Sequence, residues 1–410
     1  MNLDLNFIRS QFPAFTEPSL NGWAFFENAG GSYPCKQVIK RLTDFYTKHK
    51  VQPYYPYPAS TLAGEQMDAS YNRMAAYLNV DASEIHFGPS TTQNVYVLAN
   101  AMRPLWQDGD EIIVSCQDHE ANAGAWRRLA DTGIVLKEWH VNVNTGILEL
   151  DDLKNLFSSK TKMVAFPHCS NVIGHINPVQ KISQLAHKHN ALSVVDGVGY
   201  APHGFPDLKM LGADIYLFSL YKTFGPHLGL MYIHKELIVK MENQSHFFKE
   251  GVTKSMLTPA GPDHAQIAAA QGILDYFDAV YEYHFKESAS THQRNNALNE
   301  LFRQYENGLL SRLLDFLRSR DDIQIVGPID TTNRLPIVSI IPKDKNLKKV
   351  YEQLTEHKLM LGMGHFYAVR PLNGMNIPTD PGVLRISFLH YTSKADIDQL
   401  IEGLTKVLDL

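Results

Sequence analysis

The sequence has little cysteine, no cluster of positive charge and no long apolar run, and each shortage removes a class of protein. Three cysteines, Cys35, Cys116 and Cys169, occur in 410 residues without CxxC spacing. That excludes a disulfide framework and predicts a reduced, cytoplasmic compartment. Lysine and arginine number 38 against 43 aspartates and glutamates, a net charge of −5 with histidine neutral, and no basic patch stands out. The chain therefore lacks the electrostatic footprint expected of a partner for nucleic acid or an anionic membrane. No stretch is apolar for long enough to cross a bilayer. The opening "MNLDLNFIRSQFPAF" carries an early aspartate and no continuous apolar run, which predicts no signal peptide. Neither HExxH nor GxSxG occurs, so a zinc protease or an α/β-hydrolase has no support. Repeats and low-complexity linkers are absent as well.

What remains is the composition of an ordinary globular protein, 44% hydrophobic and 20% charged, in a chain long enough for two lobes. Between about residues 84 and 234, seven short apolar runs alternate with helix-like segments: "EIHFG", "DEIIVS", "IVLKEWHV", "KMVAFPH", "ALSVVD", "DIYLFS" and "LGLMYIH". This alternation predicts an α/β fold, a mostly parallel sheet flanked by helices. Two long helical patterns follow, and then a mixed segment that reads as a smaller C-terminal α/β domain. The expected division is an N-terminal arm over 1–20 packing with the small domain, a large domain over 21–265, and connecting helices with the small domain over 266–410. The prolines of "PYYPYPAS", 53–60, exclude regular helix there.

In an open parallel sheet, ligands bind beyond the carboxyl ends of the strands, so polar residues directly after apolar runs are the candidates. Lys222 sits in "FSLYKTFGP" between two buried segments. Lost solvation favours its neutral amine, a nucleophile toward carbonyls; a snorkelling or salt-bridged strand-end lysine is the alternative. Ser90, Thr91 and Thr92 open a helix after "EIHFG", where free backbone N–H groups and hydroxyls suit a phosphate, or simply cap the helix. Asp196 ends "VVD", Asn171 follows "FPHCS", and His119 lies in "CQDHEAN". Together they match the needs of pyridoxal 5'-phosphate: a lysine for the Schiff base, an acid for the pyridine nitrogen, a phosphate cradle and a ring to stack on. Ser219 and Tyr221 flank Lys222 closely enough to offer hydroxyls to the phosphate.

These residues resemble the class V group of fold-type I pyridoxal-phosphate enzymes, specifically the cysteine desulfurase and selenocysteine lyase branch. The resemblance runs through "FFENAGGSYP", "STTQN", "DHEAN", "SNVIGHINPV", "VVDGVGYAPH", "FSLYKTFGP" and "LRISFLHYTSKADIDQL" in matching order. It implies that Thr91 and Thr92 bind phosphate, His119 stacks on the cofactor ring, and Asn171 touches its phenolic-oxygen side. Asp196 would hold the ring nitrogen, Ser219 and Tyr221 the phosphate, and Arg385 the substrate carboxylate, with Asn28 also in the substrate site. Lys222, His119 and Asp196 are the implied catalytic residues. The same resemblance implies a homodimer with the active site at the subunit boundary.

The chain departs from that branch where a loop cysteine should carry the persulfide. "GHFYAVRPL" places Tyr367 there, and no cysteine is close in sequence. A phenol cannot accept sulfur, so a persulfide relay is not expected. Gly199 replaces a usual glutamine, and Tyr221 a usual histidine. Tyr54, Tyr55 and Tyr57 dominate a segment that in relatives helps form the substrate entrance. The expectation is a pocket for a larger amino acid, lined by Tyr55, Tyr57, Phe366 and Tyr367, with Arg370 meeting a second anionic group; packing of the tyrosines in a dimer interface is the alternative. The functional expectation is a desulfurase-like C–S lyase acting by β-elimination, or an aminotransferase, with an amino-acid epimerase or a non-catalytic scaffold as alternatives. No metal site is expected.

Overall fold

The computed structural model describes residues 2–409. A two-residue strand, β1 (Ala24–Phe25), precedes a seven-stranded sheet built from β2 (Ile85–Gly88), β3 (Glu111–Ser115), β4 (Val135–Trp139), β5 (Thr161–Pro167), β6 (Leu192–Asp196), β7 (Ile215–Ser219) and β8 (Gly229–Ile233). Their order is β2-β8-β7-β6-β5-β3-β4. All neighbours are parallel except the two pairs made by β8, which is antiparallel to both β2 and β7. The seven apolar runs of the sequence correspond to these seven strands.

Except at the edge strand β4, where Val135 is 45% exposed, the runs are continuous rather than alternating because both faces of the sheet are covered. Ile113, Val164, Phe166, Val195, Tyr216 and Phe218 enter one core. Their neighbours Ile112, Val114, Met163, Ala165, Val194, Ile215 and Leu217 enter the other. The helices Pro58–Leu78 and Gly272–His284 pack on the first face. Thr91–Met102 and Glu120–Arg127 pack on the second, with Trp126 fully buried. Pro58 opens its helix at the first turn, where a missing N–H costs nothing, so the last three residues of the proline-rich segment are helical after all. Residues 53–57 are turns and bends, as the prolines require.

A second sheet forms from β9 (Ile323–Val326), β10 (Ile337–Pro342), β12 (Gly362–Gly364) and β13 (Val383–Ser387) in the antiparallel order β12-β13-β10-β9; β11 (Leu359–Met360) lies outside it. The 28-residue helix Thr291–Arg318, with Leu347–Glu356 and Lys394–Leu408, covers one face around Leu310, Leu314, Val338, Leu384 and Leu400.

The N-terminus joins the second sheet more closely than the expected boundary at residue 21 implies. β1 pairs in parallel with β11, Glu27 bridges to Ser387, and Ala24 and Phe26 pack in the core of the second sheet. Residues 24–28, expected in the large domain, are thus built into the small one. The arm touches both lobes: Arg9 donates to the Tyr391 carbonyl at 2.8 Å, while Phe12 meets Phe224, Tyr276 and Tyr391 edge to face. No described helix is long and apolar enough to cross a membrane.

Candidate active site

The carboxyl ends of β2, β3, β5, β6 and β7 surround a cavity of about 610 Å³, within the range of small-molecule sites. Ser90, Thr91, Thr92, His119, Asn171, Asp196, Ser219, Tyr221, Lys222, Phe366, Tyr367 and Arg385 all line it. The topology causes this convergence. In parallel strands the chain leaves each strand at the same edge, so the first polar residue after each run lands on the same rim.

Lys222 closes the single turn Leu220–Lys222 that follows β7. Burial disfavours its ammonium, and the Arg385 guanidinium adds repulsion, bringing its pKa down to about 8 despite the opposing charges of Asp196 and Glu27. Asp196 is the last residue of β6 and 5% exposed. Its Oδ1 accepts from the Val198 N–H at 2.8 Å. Burial raises its pKa, while the Val198 N–H and Lys222 act the other way.

Beside it lies Asp118, 3% exposed, whose carboxyl burial and the Asp196 charge push well above the usual carboxylate range. Asn122 Nδ2 donates to Asp118 Oδ2 at 3.1 Å, and Asp118 Oδ1 has no partner. Two buried acids on one rim favour a single charge between them.

His119 caps the helix Glu120–Arg127: its Nδ1 accepts from the Ala121 N–H at 3.0 Å, which leaves Nε2 as the protonated nitrogen. Burial and the positive charges of Lys222 and Arg385 lower its pKa to about 3, so the ring is neutral where it lines the cavity. Ser90 Oγ accepts from the Gln93 N–H at 3.2 Å and caps the helix Thr91–Met102, so the sequence reading of capping holds for this hydroxyl. Thr91 Oγ1 and Ser219 Oγ lie 2.8 Å apart, two hydroxyls from different strand ends facing one point. The glycine at 229 makes that approach possible, because a Cβ there would come within 2.5 Å of the Ser90 carbonyl carbon and 2.6 Å of the Thr91 nitrogen. Tyr221 stacks on His227 at 4.6 Å between ring centroids.

At the other end Arg385, 3% exposed, leaves β13 with Nη2 donating to Glu27 Oε1 at 2.7 Å and Nη1 to the Asn171 carbonyl at 3.1 Å. Phe366 and Tyr367 form the cover over this end. Asn171 Nδ2 donates to the Phe366 carbonyl at 3.0 Å, the Glu120 N–H to the Tyr367 carbonyl at 2.9 Å, and the Tyr367 ring lies 5.2 Å from His119.

Four sequence expectations are not brought into the cavity. Asn28 is 2% exposed and its amide is committed: Nδ2 donates to the Ser387 carbonyl at 2.9 Å and Oδ1 accepts from the Tyr391 hydroxyl, so it fastens the N-terminal segment to β13. Tyr55 and Tyr57 are 54% and 45% exposed, stacked on each other on the outer surface of the chain. Arg370 pairs with Glu120, a cavity residue, rather than pointing inward itself. Conversely Cys169, remote from the loop in sequence, does line the cavity. Its Sγ lies 3.3 Å from the Gly174 carbonyl, and burial pushes the thiol pKa well up, so it is no thiolate. Sequence reasoning also passed over Glu27 and Asp118. Each stands inside a quoted motif, one residue before Asn28 and one before His119, but only the fold shows what it faces.

The residues fit pyridoxal phosphate. An amine with a lowered pKa, a buried carboxylate with a free oxygen, a neutral ring, and a helix start with two clustered hydroxyls share one cavity. Comparison with known proteins points the same way. The family model described as aminotransferase class-V matches residues 24–400. The aminotransferase-like protein FGM3 of Gibberella zeae is 34% identical, over 98% of both chains. The cysteine desulfurase-like protein ustD of Aspergillus flavus is 28% identical, over 99% of this chain and 91% of that one. The crystal structure of the cysteine desulfurase CsdA from Escherichia coli, 21% identical, superposes with a TM-score of 0.84 over 100% of this chain and 99% of the other, a likeness of fold.

Proposed function

Because the chain belongs to the class-V aminotransferase family, we propose that it is a pyridoxal-phosphate-dependent enzyme acting on a small α-amino acid, by β-elimination of a sulfur group or by transamination. The observation that carries this reading is Lys222, an amine with its pKa lowered to about 8, on the same rim as Asp196 and His119. The cofactor, when bound, supplies the electron sink for charge that develops at the substrate α-carbon. Lys222 would hold the cofactor through its amine and would serve as the base that moves a proton at the substrate α-carbon. Asp196 would keep the ring nitrogen protonated, His119 would stack on the ring, and the helix start at Ser90–Thr92 with Ser219 and Tyr221 would receive the phosphate. Arg385 would take the substrate carboxylate, and Asn171 would lie on the phenolic-oxygen side of the cofactor.

A persulfide relay is not part of this proposal. Tyr367 stands in the loop position of the nucleophilic cysteine, and the Cys169 thiol is protonated against a carbonyl. The sulfur product would leave the site directly.

The same reading extends to a homodimer in the cytoplasm. A second cavity of about 670 Å³, lined by residues 257–263, shares Tyr96 and His227 with the first. It adjoins the phosphate end, where a neighbouring copy would complete the cradle.

The test adds single amino acids to the cofactor-loaded protein and follows its visible absorbance with product analysis. A lasting change with a 2-oxo acid formed supports transamination; a returning band with ammonia and pyruvate supports elimination. Absence of any cofactor band in wild type overturns the proposal.

A further inference from the structure

Arg385 faces the cavity with both of its recognition surfaces already taken. On its edge, Nη2 holds Glu27 Oε1 at 2.7 Å. On its face, the Phe366 ring lies 3.8 Å from the guanidinium carbon. Glu27 is seated in space that two glycines leave open. A Cβ on Gly30 would fall 2.6 Å from Glu27 Oε1, and one on Gly362 would fall 2.7 Å from Oε2 and 2.8 Å from the Phe366 ring.

This arrangement is not a finished structural ion pair. Three buried polar atoms around Phe366 have no partner: Glu27 Oε2, Arg385 Nε and Asn171 Oδ1. A buried ion pair built only for stability would have its remaining donors and acceptors met, because each unmet one carries a desolvation cost. The cover is strained as well. Phe366 and Tyr367 have φ of 50° and 55°, consecutive left-handed positions that side chains rarely adopt. Unmet polar atoms under a strained cover describe a site held closed on itself.

We propose that Glu27 is a resident carboxylate that occupies Arg385 in the empty enzyme, and that substrate binds by exchanging its own carboxylate for that of Glu27 as Phe366 withdraws. This rests on the reading of Arg385 as the carboxylate site of an amino-acid enzyme. The exchange swaps one carboxylate for another, so Arg385 adds little net affinity for a carboxylate alone. Amino acids bind because their amine is anchored at the cofactor carbon. Carboxylic acids with neither an amine nor a ketone, such as propionate, have no such anchor and gain little from Arg385 alone. Glu27 is thereby a specificity-determining residue that favours amino acids over simple carboxylates.

The test is isothermal titration of propionate, at constant ionic strength, into the cofactor-loaded wild type, Glu27→Gln, and Glu27→Gln combined with Arg385→Lys. The cofactor absorbance is recorded on each sample. Removing the resident carboxylate is expected to tighten propionate by about tenfold or more, and the added Arg385→Lys to abolish the gain. If Glu27→Gln does not fold, Glu27→Asp, which retracts the carboxylate by one methylene, is expected to tighten propionate to a smaller degree. Propionate bound no more tightly by the variants than by wild type, with the cofactor band intact, overturns the proposal and leaves Glu27 as a support for Arg385. A missing band in wild type overturns the assigned function instead.

Discussion

At the residue scale, Lys222 gives the sharpest pH signature. With its pKa near 8 rather than 10.5, the apo protein is expected to capture pyridoxal phosphate at a rate that rises with pH and half-saturates near 8. Stopped-flow absorbance checks this; a rise centred above 10 contradicts the buried amine. The unfolded chain holds that proton up to about 10.5, so between 8 and 10.5 it binds more protons than the folded one, and this group makes apo stability rise across that window. Asp196→Asn is expected to keep the cofactor on Lys222 while kcat falls by about 10²-fold or more, read by spectrum and turnover together. His119 adds no inflection near neutrality, since its pKa lies at about 3. Lys222, Asp196 and His119 could be picked out in the sequence because Asp196 ends an apolar strand and the other two follow one within a short turn. Glu27 was not, because its meaning lies in Arg385; nor was the placing of Tyr55 and Tyr57 outside the cavity, because aromatic composition says nothing of direction.

At the scale of elements, the join between β8 and the helix Thr91–Met102 leaves no room for a side chain at Gly229. Gly229→Ala places a methyl against backbone rather than a flexible side chain, so the helix start must shift. The expected result is a stability loss on the order of 1–3 kcal/mol by denaturant melting, and weaker cofactor retention by equilibrium dialysis. An unchanged affinity would remove this helix start from the phosphate site. The seven central strands were readable because burial on both faces writes continuous Val, Ile and Phe runs into the sequence. The segment at 24–28 was not. A two-residue strand has no period to detect, and Asn28 finds its partner Ser387 359 residues away.

At the scale of the whole molecule, the lobes meet through a buried polar chain. His203, from the loop after β6, lies 2.7 Å from Glu306 on the long connecting helix; Glu306 lies 3.7 Å from His390 beyond β13; and His390 Nε2 lies 2.7 Å from the Tyr276 hydroxyl. All four are at most 4% exposed. Interaction with His203 and His390 holds the Glu306 pKa below 4.5 against the effect of burial, so its contribution to stability is present above that value and lost as pH falls through the folded pKa. Glu306→Gln is expected to cost about 3–5 kcal/mol at neutral pH and to flatten the acid limb of the melting profile. An acid limb unchanged in the variant would contradict that role. Nothing in the sequence marked this network, since its four members come from four separate segments. The central claim, that the molecule is assembled to hold pyridoxal phosphate on Lys222, is tested most directly by borohydride reduction of the cofactor-loaded protein followed by peptide mass mapping. The account predicts a single pyridoxyl adduct, on the peptide containing Lys222. An adduct on another lysine, or none, would contradict it.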